Sequence, residues 1–292
     1  MKGSWLVILL ATITAILGGM AAGIGFFSNR AAAPFTITTL RGQEVQVYGE
    51  GLYRYDSLFF GAGYKGQDAV ALFLGIPALI ISILLYQRGS LVGHLLLTGL
   101  LGYFLYLYSS VALGVAYNQI FILYIGAFGA ALFAFIVCFN AAILRLNAIG
   151  DLGGIPTKAL SIFMFVAGGI TLFAWGAPVI QSLIGGISPA RMAHYTTMVT
   201  YVIDLAVITP ATFICAALLL KNYPLGVIVG VPLLTVLILL TPQIILSTIF
   251  QYRAGVAFKT AEIIGPIAGF VLLGGASLYF LVRILRDIPK IA

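Results

Sequence analysis

Charge is scarce in this chain. Only 8% of its 292 residues are Asp, Glu, Lys or Arg, whereas soluble domains carry roughly 25%. Hydrophobic residues make up 62% of the chain, and the mean hydropathy is +1.13. This balance excludes a soluble globular protein and identifies a multi-pass membrane protein.

Cysteine and histidine are almost absent, with two residues of each. Cys138 and Cys215 both lie in long apolar runs, which excludes a disulfide framework or a CxxC redox pair. His94 and His194 are expected near opposite faces of the membrane, so they cannot share a metal or a haem. The chain also lacks the phosphate-loop, HExxH and GxSxG motifs. The sequence therefore predicts no enzyme, no cofactor and no metal site.

Apolar segments long enough to cross a bilayer fill most of the chain. A spanning helix needs about 20 apolar residues. The first segment exceeds the about 7–15 apolar residues of a secretory signal, so it is interpreted as a helix that stays in the membrane. The sequence predicts an all-α protein of eight transmembrane helices, at 5–27, 69–86, 91–108, 120–144, 159–180, 198–220, 225–249 and 263–285.

The only long connection is residues 28–67, which is expected outside the cytoplasm. Within it, residues 36–40 and 44–48 alternate apolar with polar side chains around Arg41 and Gly42. This alternation predicts a short β-hairpin. The whole chain, 1–292, is otherwise interpreted as one transmembrane domain.

The placement of Lys and Arg predicts the orientation. When the 28–67 loop is left out of the count, more Lys and Arg residues lie on the side of the two termini than on the opposite side. This excess predicts that the termini are cytoplasmic. Their scatter at the ends of apolar segments indicates anchoring in lipid and excludes nucleic acid as the partner of this chain with net charge +7. The oligomeric state stays open. The cytoplasmic set is Lys2, Arg88, Arg145, Lys158, Lys221, Arg283, Arg286 and Lys290, and the opposite set is Arg30, Arg41, Arg54, Lys65, Arg191, Arg253 and Lys259.

Two segments resemble each other at an offset of 133 residues. Residues 77–107 laid on 210–240 align Pro77 with Pro210 and Gly93 with Gly226. A true repeat would divide the chain into parallel four-helix halves, 1–150 and 151–292, as in some transporters that place their sites where repeats meet. Chance similarity between two Leu-rich hairpins remains the alternative.

Asp204 is the only carboxylate well inside a predicted helix, and a charge there is expensive enough to suggest a function. Thr197 and Tyr201 share its face of the sixth predicted helix. Pro210 cannot donate to the carbonyl of Ala206, which leaves an additional acceptor one turn away. A polar stripe is therefore predicted on this helix.

The seventh predicted helix carries a second stripe, Gln243, Ser247 and Gln251. On the predicted topology both stripes lie in the outer half of the membrane, so they are expected to face each other around an outward-opening cavity. Three further residues are expected at its rim: Glu262, His194 and Arg191.

Two interpretations of Asp204 stay open. It either binds a ligand, cation or proton in the cavity, or it is satisfied by neighbours and only fixes the packing of its helix. The first interpretation predicts transport of a small solute or ion. The alternatives are a ligand-binding or signalling membrane module and a structural subunit of a membrane complex. The tyrosines near the end of the third helix, including Tyr103, Tyr106 and Tyr108, are expected in an interfacial belt.

Residues 51–56, 84–91 and 102–106 resemble segments of uncharacterised prokaryotic multi-pass membrane proteins. The similarity covers mainly residues 40–135 and contains no motif of known chemistry. It implies a bacterial or archaeal cytoplasmic membrane and no particular activity.

Overall fold

The computed structural model describes residues 3–29, 32–147 and 153–288, so Lys2, Arg30 and Lys290 of the orientation argument lie outside the described residues. Within these ranges eight helices are long and apolar enough to cross a membrane. The predicted all-α fold with eight transmembrane helices is confirmed. The helices are α1 (Trp5–Phe27), α2 (Leu58–Gln87), α3 (Leu91–Gly114), α4 (Phe121–Asn147), α5 (Thr157–Gly185), α6 (Val199–Leu220), α7 (Pro224–Arg253) and α8 (Thr260–Asp287).

The predicted β-hairpin is also confirmed. Strand β1 (Phe35–Thr38) pairs antiparallel with β2 (Glu44–Val47), and Phe35 stands opposite Val47. The hairpin follows α1 and precedes α2, and its end of the bundle is called the hairpin side below. The first helix begins at the opposite end.

Helix α2 begins much earlier than the expected start at residue 69, so residues 58–67 are helical rather than part of the connection. The Ser57 hydroxyl accepts a 3.3 Å hydrogen bond from the Phe60 amide and so caps the helix. Lys65 and Asp68 make this stretch look like a loop in sequence, yet both side chains are buried against protein. A charge count along the chain cannot detect that burial.

Helices α2 and α6 contain the same irregularity. Each includes a five-residue π-helical segment, Ala71–Gly75 in α2 and Asp204–Ile208 in α6. The α-helix resumes directly after each segment, at Ile76–Gln87 and at Thr209–Leu220. The second residue of each resumed part is a proline, Pro77 or Pro210. The bounds of the two π-helical segments differ by 133 residues, and so do those of the two resumed α-helices. This is the offset of the sequence similarity.

The packing of the helices follows the same offset, which pairs α2 with α6 and α3 with α7. Helix α3 packs against α7 near the middle of the bundle, while α2 packs against α7 and the first turns of α6 pack against α3. At the end opposite the hairpin side, an apolar core joins α3 to α8, and among the described residues it includes Leu160, Leu219, Ile228, Leu281 and Ile284.

Candidate functional site

Asp204 lies within the membrane-spanning part of α6 and is only 6% exposed. It is the first residue of the π-helical segment, which packs against α5. The hydroxyl of Tyr106, on α3, lies close enough to its carboxyl group to interact with it. In the described part of the chain no Lys, Arg or His lies within ion-pair distance of this carboxyl. Asp204 is thus a buried acid beside a phenol.

The π-helical segment at Asp204 has a local cause. Pro210 has no amide hydrogen, so the regular bond to the carbonyl of Ala206 cannot form. The amide of Thr209 instead donates to the carbonyl of Asp204, five residues back. The Thr212 hydroxyl donates to the Ile208 carbonyl at 2.7 Å. Such single-turn π segments occur frequently at functional sites.

The other residues predicted beside Asp204 do not gather around it. Tyr201 is buried and packs against Trp175, with ring centroids 4.8 Å apart. Thr197 is exposed and precedes the helix, so its expected position on the same helical face is wrong. Arg191 covers the ring of Phe59 at 4.1 Å.

The polar stripe of α7 faces α2, so the expectation that it faces α6 is wrong. The Gln243 amide donates to Gln67 Oε1 at 3.2 Å, and the Ser247 hydroxyl donates to the Gly63 carbonyl at 2.7 Å. Gln251 donates to the Phe59 carbonyl at 2.9 Å. The physical reason is the early start of α2, which places polar backbone and side-chain acceptors along α7.

Glu262 and His194 also have partners away from Asp204. The exposed Glu262 accepts a 3.1 Å hydrogen bond from the Lys259 amide and caps the start of α8. The His194 ring stacks on Tyr195 at 4.5 Å and contacts the backbone of Tyr55. Burial lowers the pKa of His194. Both residues lie on the hairpin side, Glu262 in the first turn of α8 and His194 in the connection between α5 and α6.

A second buried acid, Asp68, was missed in the sequence because residues 58–67 were assigned to a loop. It lies in α2, is 7% exposed, and accepts a 2.6 Å hydrogen bond from the Tyr53 hydroxyl. Helix α1 approaches it at Gly25, where a Cβ atom would overlap the Asp68 carboxyl. The available sequence signal was Ser57, a good N-cap residue directly before an apolar run.

Lys65 lies close to Asp68 in α2, but its ammonium group forms hydrogen bonds with other residues. Its ammonium donates to the carbonyls of Phe26 and Ser28 and, at 3.0 Å, to Asn29 Oδ1. These acceptors lie at the carboxyl end of α1, where carbonyls have no partner within the helix. Lys65 thus caps α1 with all three of its hydrogens.

Tyrosines surround Asp68. Tyr124 lies close to Tyr53 and accepts a 3.4 Å hydrogen bond from Asn118. Tyr103 is fully buried, and its hydroxyl has no partner among residues 3–29, 32–147 and 153–288. The expected interfacial belt is therefore wrong for Tyr103 and for Tyr108, which is also buried in the core.

On the hairpin side, Asp56 joins the long connection to the loop before α6. Its Oδ1 atom accepts hydrogen bonds from the Ala116 amide at 2.9 Å and from the Tyr195 hydroxyl at 2.8 Å. Its Oδ2 atom is buried without a partner in the described ranges. Burial raises the pKa of Asp56 to about 7, against the opposing effect of the hydrogen bonds from Ala116 and Tyr195.

The side chains present do not form a metal site: within the described residues, no three His, Cys, Asp or Glu side chains come together in a metal-binding group. Comparison with protein families, with curated proteins and with solved structures finds no match to this chain. Its eight apolar helices define the class, a multi-pass membrane protein.

Proposed function

We propose that the protein transports a small solute or ion across the membrane and that Asp204 is the charge-bearing group. The observation that carries the proposal is a carboxyl group, 6% exposed, in the second turn of the spanning helix α6, with a phenol beside it. Ionisable groups inside a membrane are costly, and they commonly mark pathways for ions, protons or substrates.

The form of α6 around Asp204 supports the same proposal. A π-helical segment directly before Pro210 interrupts the regular backbone bonding of the helix. Interrupted helices near the middle of the bilayer bind substrates and coupling ions in many transporters. The matching interruption in α2 gives each half of the chain one such helix, which is the arrangement expected of parallel repeats.

The proposed site differs from the one expected from sequence. Tyr106, rather than the α7 stripe, interacts with Asp204. Gln243, Ser247 and Gln251 instead tie α2 to α7. In a transport cycle these bonds hold the two halves together on the hairpin side and must rearrange if that side opens.

Transport is tested by electrical recording from proteoliposomes adsorbed on a solid support. Purified protein is exposed to concentration jumps of amino acids, sugars, and inorganic anions and cations. At least one class is expected to give a current, and Asp204→Asn is expected to abolish it. Asp287→Asn is the matched control, because Asp287 pairs with Arg283 and Arg286 at the far end of α8.

The control is expected to retain the current, and both variants are checked for unchanged thermal unfolding. A current that survives Asp204→Asn would remove Asp204 from the mechanism. Absence of current for every class would count against transport itself.

We further propose that the hairpin side faces away from the cytoplasm. Gln43→Cys in the hairpin and Gln87→Cys at the end of α2 introduce exposed thiols at opposite ends of the bundle. The native residues Cys138 and Cys215 are buried. A membrane-impermeant maleimide applied to intact cells is expected to label the Gln43 variant alone, and the opposite result would invert the topology.

A further inference from the structure

Asp68 resembles Asp204 in its surroundings although the two residues lie in different halves of the chain. Both are less than one-tenth exposed within spanning helices, and both lie beside a tyrosine hydroxyl. Asp68 lies one turn before the π-helical segment of α2, and Asp204 begins that of α6. Two acids therefore accompany the two helix interruptions.

No positive charge pairs directly with Asp68 in the described part of the chain. Lys65, the nearest cation along α2, has its three hydrogens directed to the end of α1. Helix α1 packs against this region and contains no titratable side chain. An unpaired carboxylate buried in such an environment is unfavourable, and the group is more stable when it holds a proton.

The remaining groups around Asp68 are phenols. Tyr53 donates to it directly, while Tyr103, Tyr108 and Tyr124 are close enough to be affected by its charge. The hydroxyls of Tyr53, Tyr108 and Tyr124 have hydrogen-bond partners. The Tyr103 hydroxyl is buried and lacks one among the described residues. A buried hydroxyl with a free acceptor position can accept a hydrogen bond from a water molecule that links it to a protonated acid.

We propose that Asp68 is a proton-binding site, formed by its carboxyl group and the Tyr53 hydroxyl, with the unpartnered Tyr103 hydroxyl among the surrounding phenols. The ligand is a proton, which converts the carboxylate to a carboxylic acid without any change in electrons. The inference goes beyond the proposed function, because it concerns proton binding by Asp68 whatever solute moves.

The experiment is infrared spectroscopy of the purified full-length protein, recorded across a pH titration. Carboxylic acids absorb in a region separate from that of carboxylates, so a buried protonated acid has its own band. At neutral pH, Asp68→Asn is expected to remove one such band, and Asp287→Asn, the matched control, is expected to remove none because the ion-paired Asp287 is ionised there. A wild-type spectrum that Asp68→Asn leaves unchanged at every pH would overturn the proposal.

Two tyrosine variants test the site without removing the acid, in case Asp68→Asn does not fold. Tyr53→Phe deletes the donor to Asp68 and is expected to shift the band, and Tyr103→Phe is expected to shift it as well. Tyr279→Phe, at the exposed end of α8, is expected to leave the band in place. An Asp68 band unmoved by both site variants would overturn the assignment. These spectra do not depend on transport, so loss of the proposed function and loss of this site are distinguishable.

Discussion

The Tyr195 hydroxyl donates a 2.8 Å hydrogen bond to Asp56 Oδ1 and accepts a 3.1 Å bond from the Ser57 amide. Tyr195 belongs to the connection between α5 and α6, whereas Asp56 and Ser57 end the connection between α1 and α2. One phenol therefore joins the two loops of the hairpin side, and it does so directly before the helix that carries Asp204.

Tyr195→Phe is predicted to loosen this junction. The change keeps the ring but leaves the Ser57 amide without its acceptor and removes one donor to Asp56. Removal of one partner from a buried polar group costs about 1–3 kcal/mol. Hydrogen exchange is expected to increase over residues 186–198 and at the Ser57 amide, and little elsewhere. Tyr252→Phe, at an exposed position near the end of α7, is the control and is expected to change nothing.

The stability of the protein is predicted to fall as the pH rises through about 7. The pKa of Asp56 is raised by burial to about 7 in the folded protein, above the unfolded value of about 3.9. Between these values the folded state binds more protons than the unfolded state, so its stability is greatest below the unfolded pKa and decreases with rising pH. A tenfold difference between the acid dissociation constants of the two states corresponds to about 1.4 kcal/mol.

Thermal unfolding in detergent at several pH values tests this dependence. Asp56→Asn cannot ionise and is expected to flatten the decrease. The groups near Asp56 are the phenols of Tyr195, Tyr64 and Tyr124, and His194 in the facing loop. The lowered pKa of His194 acts in the opposite sense, because its stabilising contribution is lost as the pH falls. An equally steep decrease in Asp56→Asn would exclude Asp56 as its cause.

Lys65→Met is predicted to free the carboxyl end of α1. The substitution keeps an apolar side chain of similar length but leaves the carbonyls of Phe26 and Ser28 without their donor. The expected loss is about 2 kcal/mol, as for hydrogen bonds to charged groups, and protection from hydrogen exchange is expected to fall near residues 26–29. Lys259→Met changes an exposed lysine and is expected to leave α1 unaffected. Unchanged protection in Lys65→Met would show that the cap is not needed.

The sequence sufficed for the number of helices, because uninterrupted apolar length is a local property of the chain. It also sufficed for the hairpin, whose alternation is equally local. The start of α2 could not be predicted in the same way, because Lys65 and Asp68 are satisfied by α1 and by Tyr53, which are distant in sequence. The partner of Asp204 was missed for the same reason, since an isolated stripe on α7 does not indicate which neighbouring helix it meets.

Gly66→Ala is predicted to separate α2 from α7. A Cβ atom at Gly66 would overlap the backbone of α7 at Ser247, which cannot yield as a flexible side chain can. The helices must then move apart, which weakens the bond between Ser247 and the Gly63 carbonyl. A lowered thermal unfolding temperature is expected, with a cost of about 1–3 kcal/mol as for other overpacked sites. Gly265→Ala is the control, since a Cβ atom there would have no neighbour within 4 Å among the described residues. Equal stability of the two variants would contradict the close packing of α2 on α7.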